Sequence, residues 1–392
     1  MRGRERSAAL SGTAAAGVCV EQRKPPRRKI PPISWLLVLF PVALLMSWLA
    51  KNTPELAEQV FALGVYRWVS NGLSRVTGLL PFSLLEFGII ALVLLTVGVI
   101  VWFVRGLIRR KGYRAAFAGW VGFRLLCLAS AGYFVFTLLC GVNYYRSPFS
   151  RYSGLEIRPS TADELAALCC DLAQEANELR AQITNLGEDG TPAVFHEGYR
   201  AVSDQARSAM KTLAAQYPVL EGYYPPVKRV LFSGFMSRTQ LTGVYCPFTM
   251  EANVNVACTE YTIPATMCHE LSHLRGFMRE DEANFIAYLA CMCSDSVEFR
   301  YSGTMLALVY AGNQLYRVDQ DRYRELIQSY SEGVRLDLTV DSAYWRQFDD
   351  TVISTVSNSV NDAYLKANDQ HDGVQSYGRM VDLLLALYRE NA

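Results

Sequence analysis

Two histidines four residues apart, with a glutamate after the first, form the pattern HExxH at His269-Glu270-Leu271-Ser272-His273. On a helix, residues at i and i+4 share a face. Both imidazoles can therefore reach one cation, and Glu270 stands beside them to hold a water. A catalytic zinc ion takes three protein ligands and a water. The expected chemistry is hydrolysis by a zinc-activated water, with Glu270 as the general base that takes its proton. The chain has four histidines, and two of them lie here. Thr266, Met267, Leu271, Ser272 and Leu274 are uncharged, as a buried helix requires. Arg275 breaks that trend and is expected to mark the helix leaving the core.

A third ligand is expected in Arg279-Glu280-Asp281-Glu282-Ala283-Asn284. On a new helix the face of Glu280 continues through Ala283, Asn284, Ala287 and Cys291, mostly small residues that permit close approach to the HExxH helix. Glu282 shares its face with Phe285, Ile286 and Leu289. Glu280 is therefore the expected ligand, with Glu282 and then Asp281 as alternatives. Asn284 is expected to hydrogen-bond a ligand side chain. Gly276 allows a sharp exit from the helix, but position 279 is Arg, so the third histidine of an H-x-x-G-x-x-H arrangement is absent.

These residues need elements to hold them. Glu251 to Ala257 alternates polar and apolar residues, the mark of a half-exposed strand. Two readings stay open for it. It is an ordinary sheet strand, or an edge strand that pairs with extended substrate, with Asn253 and Asn255 as substrate-binding residues. Val227–Phe235 reads as a further strand. A helix is expected from Thr161, with Glu164 completing a capping box, and a second over Gly198–Ala215. Helices return from Arg279 to the end, with breaks near Gly303, Gly333 and Asp369–Gly373 and a last helix from Tyr377 to Tyr388.

Ahead of this mainly α, α+β domain (146–392) lie a basic tail (1–30) and a membrane domain (31–145). Three apolar stretches, about 33–50, 82–104 and 125–142, are long enough to span a bilayer. The tail and the connection Arg105–Arg114 are rich in Lys and Arg, whereas Lys51–Leu80 offsets its few cations with Glu55 and Glu58. Cytoplasmic loops carry the excess of cations. The expectation is a multi-pass cell-membrane protein with a cytoplasmic N-terminus and an extracytoplasmic C-terminal domain. Leu56, Val60, Phe61, Val65 and Trp68 recur at helical spacing, as a helix on the bilayer surface or one docked on the outer domain. A net charge of +1 argues against nucleic acid as a partner. The partners expected are a peptide or protein substrate and the lipid bilayer. Ten cysteines with no C-x-x-C pair exclude a cysteine zinc ribbon and are expected mainly as buried thiols.

HExxH followed by Glu280-x-x-Ala283-Asn284 resembles the glutamate zincins. Prenyl-protein and heat-shock membrane peptidases carry a similar E-x-x-A-D, and soluble peptidases that cleave phage-type repressors carry E-x-x-A-N. A resemblance along nearly the whole chain is to the bacterial membrane family called domain of unknown function 3810. It is carried by Gly78-Leu-Leu-Pro-Phe-Ser-Leu-Leu-Glu86, Gly243-Val-Tyr-Cys-Pro-Phe-Thr-Met-Glu-Ala-Asn253, the HExxH stretch through Asn284, and Gly373-Val-Gln-Ser-Tyr-Gly-Arg379. That resemblance implies three N-terminal spans, a zincin-like metallopeptidase domain, and Gly243–Asn253 lining its site. Tyr245 is then either an oxyanion donor or a packed core tyrosine. The function expected is a membrane-anchored zinc metallopeptidase. The alternatives are a non-catalytic sensor or scaffold of the same fold, and a membrane partner protein with an accidental HExxH.

Overall fold

The computed structural model describes residues 31–367 and 380–391. Helix α1 (Pro32–Asn52) leads into a segment wound in wide π-type turns over Ala57–Tyr66, then α2 (Arg67–Thr77). Helices α3 (Leu84–Arg109) and α4 (Arg114–Leu139) form a hairpin across a four-residue turn. α1, α3 and α4 are long and apolar enough to cross a membrane. Ser83 caps α3 by accepting the N–H of Glu86.

The body that follows is mostly helical. Its elements are α5 (Ala162–Gln182), α6 (Tyr199–Gln216), β1 (Lys228–Arg229), α7 (Ser233–Arg238), β2 (Gly243–Cys246), β3 (Glu251–Val254), α8 (Ile263–Leu274), α9 (Glu280–Met292), α10 (Val297–Val318), α11 (Gln320–Ser329), α12 (Glu332–Arg346), α13 (Val352–Ala367) and α14 (Met380–Asn391). The expected capping box is present: Thr161 accepts from the Glu164 N–H, and Glu164 accepts from the Thr161 N–H. α8 sits at the centre, packed against α6, α9, α10 and the sheet. Beyond its C-terminal end Phe149 meets Phe277 and Phe285 edge-on.

The sheet corrects two expectations. Its order is β1-β3-β2, with β3 parallel to β1 and antiparallel to β2. The strand expected over Glu251–Ala257 ends at Val254, is buried on both faces, and is the central strand. Its polar face is turned inward to hydrogen-bond other chain segments. Glu251 accepts from the N–H groups of Leu84 and Leu85, and Asn253 donates to the carbonyls of Val244 and Glu251. The strand expected over Val227–Phe235 is only Lys228–Arg229, and the chain turns into α7 from Ser233.

Other boundaries moved for local reasons. The third apolar stretch begins at Arg114, so Arg124 lies inside α4, where its guanidinium covers the Trp120 ring at 3.9 Å. That helix stops at Leu139, and Gly141–Tyr145 forms a short 3-10 turn within the body. Gly303 lies within α10, where its missing side chain admits Cys291, and Gly333 lies within the first turn of α12. The actual interruptions are at the caps Ser296, Asp319 and Ser331. Arg275 does not leave the core: it is buried, with its guanidinium over Tyr224 and Nη1 donating to Asn71. The Asp369–Gly373 break, the Gly373–Arg379 motif and the start of the last helix at Tyr377 lie outside the described residues. Among the described cysteines all are free thiols, most of them buried.

The segment between α1 and α3 is docked on the body. Buried Glu58 accepts from Arg146 Nε at 3.0 Å and from the Ser147 N–H at 3.2 Å. Arg146 also donates to the Arg275 carbonyl at 2.8 Å. Arg67 donates to the Pro218 and Val219 carbonyls, and Asn71 accepts the Tyr223 N–H.

Candidate metal centre

Pro264 in the first turn starts α8, whose N–H groups there need no partner. The helix stops because Gly276 takes φ +85°, a conformation in which a side chain is strained. A Cβ there would also press on Arg146 and Tyr66. The reversal brings α9 back along α8. The acids Glu280, Asp281 and Glu282 occupy the first turn of α9, where the helix dipole favours negative charge.

This fold brings His269, His273 and Glu280 together, with one ligating atom of each within 4.8 Å of the others. His269 Nε2 lies 3.2 Å from Glu280 Oε2, and His273 Nε2 lies 3.7 Å from Glu280 Oε1. The other ring nitrogens are engaged. His269 Nδ1 pairs with Asn284 Oδ1 at 2.8 Å, and His273 Nδ1 with the Phe277 carbonyl at 2.7 Å. When both Nδ1 atoms donate, each ring presents a lone pair on Nε2 towards Glu280. Asn284 is itself held, donating to the Tyr310 hydroxyl at 3.1 Å. Glu282 faces elsewhere, accepting from the Phe149 N–H and from Arg279.

Glu270 is buried beside this cluster, and its Oε2 has no hydrogen-bond partner. It lies against β2: a Cβ on Gly243 would stand 2.2 Å from its Oε1. Burial pushes the Glu270 carboxyl up to about 8, opposed by His269 and reinforced by Glu280. Burial disfavours the charged form of His269, but the Glu280 carboxylate outweighs it and lifts the imidazole to about 9. Burial draws His273 down to about 4 against the pull of Glu280. Burial would raise Glu280, yet His273 and His269 hold it below the usual carboxylate range. Without a cation, a proton on His269 thus offsets the charge of Glu280. His269, His273 and Glu280 could hold a divalent ion, which would supply positive charge in place of that proton.

The remaining sequence candidates stand further out. The Tyr245 hydroxyl is engaged with the Tyr66 hydroxyl at 2.8 Å and Met250 Sδ at 2.7 Å, and its ring is 6.2 Å from that of His273. Asn253 and Asn255 are fully buried within the sheet region, and Asn255 donates to Ser237 and the Leu241 carbonyl. Four contributors were not singled out in the sequence: Gly243 against Glu270, the Phe277 carbonyl on His273, Tyr310 on Asn284, and Tyr66. The Tyr66 hydroxyl reaches the carbonyls of His273 and Leu274 from the segment between two apolar helices. Gly243 had a signal, as the first residue of the Gly243–Asn253 segment that the family resemblance implies lines the site. The others are joined to the site only by the fold.

No curated protein and no solved structure matches the chain. One family does, described as "Protein of unknown function (DUF3810)", over residues 61–385. That stretch takes in most of the segment between the first two apolar helices, the hairpin α3–α4, the sheet and the whole His–His–Glu cluster, and the chain belongs to this family.

Proposed function

We propose that this protein is a membrane-anchored zinc metallopeptidase of zincin-like fold. One observation carries the reading: two imidazoles whose Nδ1 atoms are tied back converge through Nε2 on one carboxylate, next to a buried glutamate with a free oxygen. The donor set suits zinc. Ligand bonds of about 2.0–2.1 Å in a tetrahedron separate donor atoms by roughly 3.3 Å; here the imidazoles lie 3.2 and 3.7 Å from the two oxygens of Glu280, and one donor of each residue lies within 4.8 Å of the others. A bound zinc ion would supply Lewis-acid polarisation of a water and of a peptide carbonyl. His269, His273 and Glu280 would hold it, and Asn284 and the Phe277 carbonyl would fix the imidazoles. Glu270 is placed to take a proton from the attacking water and return it to the leaving amine. A purely structural site has no use for an unpaired carboxylate in that position, which favours catalysis over a sensor or scaffold.

The three apolar helices anchor the domain. Arg105, Arg109, Arg110, Lys111 and Arg114 gather at the α3–α4 turn, at the opposite end of α3 from the body that holds its first turn. With a basic N-terminal tail, that supports a cytoplasmic N-terminus and an extracytoplasmic catalytic domain.

The test is zinc per chain in the full-length protein, for wild type, His269→Ala and Glu280→Ala, alongside hydrolysis of a quenched fluorescent peptide library with Glu270→Gln as control. About one zinc in wild type, lost in both variants, with cleavage abolished in Glu270→Gln, is the expected result. A folded wild type without zinc would sink the reading. Zinc bound with no cleavage of any peptide would turn it to the scaffold.

A further inference from the structure

Two segments of the body are tied to the first turn of α3 and one to the loop just before it, and exposed apolar side chains lie along these stretches. Glu86, in that turn, accepts from the N–H groups of Leu231 and Phe232 at 3.0 and 2.6 Å. Glu251 accepts from Leu84 and Leu85, which fixes the preceding β2–β3 turn with Phe248 at its tip. Lys228 donates to the carbonyls of Thr77 and Leu80, which fixes the loop bearing Leu79. Leu79, Leu231, Phe232, Phe235 and Phe248 are each more than half exposed. Phe232 and Phe235 are three residues apart at the start of α7, on one side of that short helix.

The runs that bear these side chains carry no charge. Gly78–Leu85, Val230–Ser237 and Thr239–Met250 contain no Asp, Glu, Lys or Arg. Water-facing loops of the same body do carry charge, as in Gly187-Glu-Asp-Gly190. A contiguous apolar patch rimmed by polar surface marks an interaction site. Its position decides the partner. The chain segments that bear it are bonded, through Glu86 to the N–H groups of Leu231 and Phe232 and through Glu251 to those of Leu84 and Leu85, to the residues at which an apolar helix of 26 residues begins.

We propose that this rim is a lipid-binding surface, in which Leu79, Leu231, Phe232, Phe235 and Phe248 insert into the bilayer leaflet that α3 enters. The proposal rests on α3 being a membrane span. It extends the membrane contact of the protein from its helices to its body. It also sets the bilayer against the turn from which β2 runs back to Gly243, the glycine that lies against Glu270. Apolar side chains of this kind enter the zone between headgroups and acyl chains, and the lack of charge in all three segments spares them the cost of desolvating ions.

The experiment is photocrosslinking of the full chain in nanodiscs, with p-benzoylphenylalanine replacing Phe232, Phe235 or, as a reference inside α3, Leu94. Discs are made with two phosphatidylcholines of different acyl length. The expected result is a mass gain of one lipid on the peptides carrying positions 232 and 235, following the lipid supplied, as at position 94. Lipid adducts at 94 combined with none at 232 and 235, or with adducts there only to a second copy of the chain, would overturn the proposal. Absence of lipid adducts at 94 as well would show that α3 is not a span, and the proposal would fall with that reading.

Discussion

The contact between Gly243 and Glu270 gives the sharpest test of the catalytic reading. A methyl group added at Gly243 would stand 2.2 Å from Oε1, 2.8 Å from Cδ and 2.9 Å from Cγ of Glu270, where ordinary contact begins at 3.4 Å. Because Cγ and Cδ are blocked as well as the oxygen, turning the carboxylate does not relieve the overlap. The side chain must withdraw by roughly 1 Å in a close-packed interior. A displacement of that size in a catalytic group costs on the order of 100-fold in rate, or about 2.7 kcal/mol in the barrier. The three nearest atoms all belong to Glu270, so the first overlap falls on that side chain and not on His269, His273 or Glu280. Gly243→Ala is therefore expected to keep its zinc and lose about 100-fold in kcat. The assay is peptide hydrolysis and zinc content on the same preparation, with a thermal melt to show that the variant is folded. Activity equal to wild type would refute the claim that β2 holds Glu270 in place. Loss of zinc would show instead that β2 shapes the ligand cluster.

Asn284→Ala removes the acceptor on His269 Nδ1 and is expected to weaken zinc binding by about 10–100-fold, read by competition with a chromophoric chelator. Arg146→Met leaves Glu58 buried without its cation and is expected to cost about 3–5 kcal/mol. The pair Arg146→Met with Glu58→Leu should melt closer to wild type than the single variant. The Glu164 carboxyl is held at about 2, first by Arg389 and then by the Thr161 N–H, against an ordinary value of 4.5. Its contribution to stability is thus complete above the ordinary value and is lost as pH falls from there towards 2. The melting difference between wild type and Glu164→Gln should shrink over that acid range and stay constant at neutral pH.

What could be read from the sequence was whatever local pattern dictates. The three apolar helices follow from composition alone, and the capping box at Thr161 from two residue types three apart. The choice of Glu280 over Glu282 followed from helix periodicity, and the structure brings Glu280 to the histidines while Glu282 binds the Phe149 N–H and Arg279. Alternation misled at Glu251–Ala257, because polar residues on a strand signal hydrogen bonding, and here the partners are other parts of the chain rather than water. The same fault explains Arg275: a charge was read as solvent exposure, but its guanidinium is buried over Tyr224 and bonded to Asn71. Periodicity carries no information about partners far away in sequence.

Those distant partners run through one segment. The stretch between α1 and α3 supplies Glu58 to Arg146, Tyr66 to the carbonyls of His273 and Leu274, and Asn71 to Arg275 and Tyr223. Glu86 and Glu251 then bind backbone N–H groups across the junction of α3 and the sheet. A flexible tether would need none of these bonds. Buried carboxylates and tyrosines are costly unless each finds its partner, so their concentration here fixes the body against its apolar helices rather than merely attaching it. The helix that bears both histidines ends on that junction, at the carbonyls Tyr66 contacts and the glycine against which Tyr66 and Arg146 lie. A shift of α1 relative to α3 would therefore be felt first at His273, the histidine nearer the end of α8, before it reached His269 one turn further in.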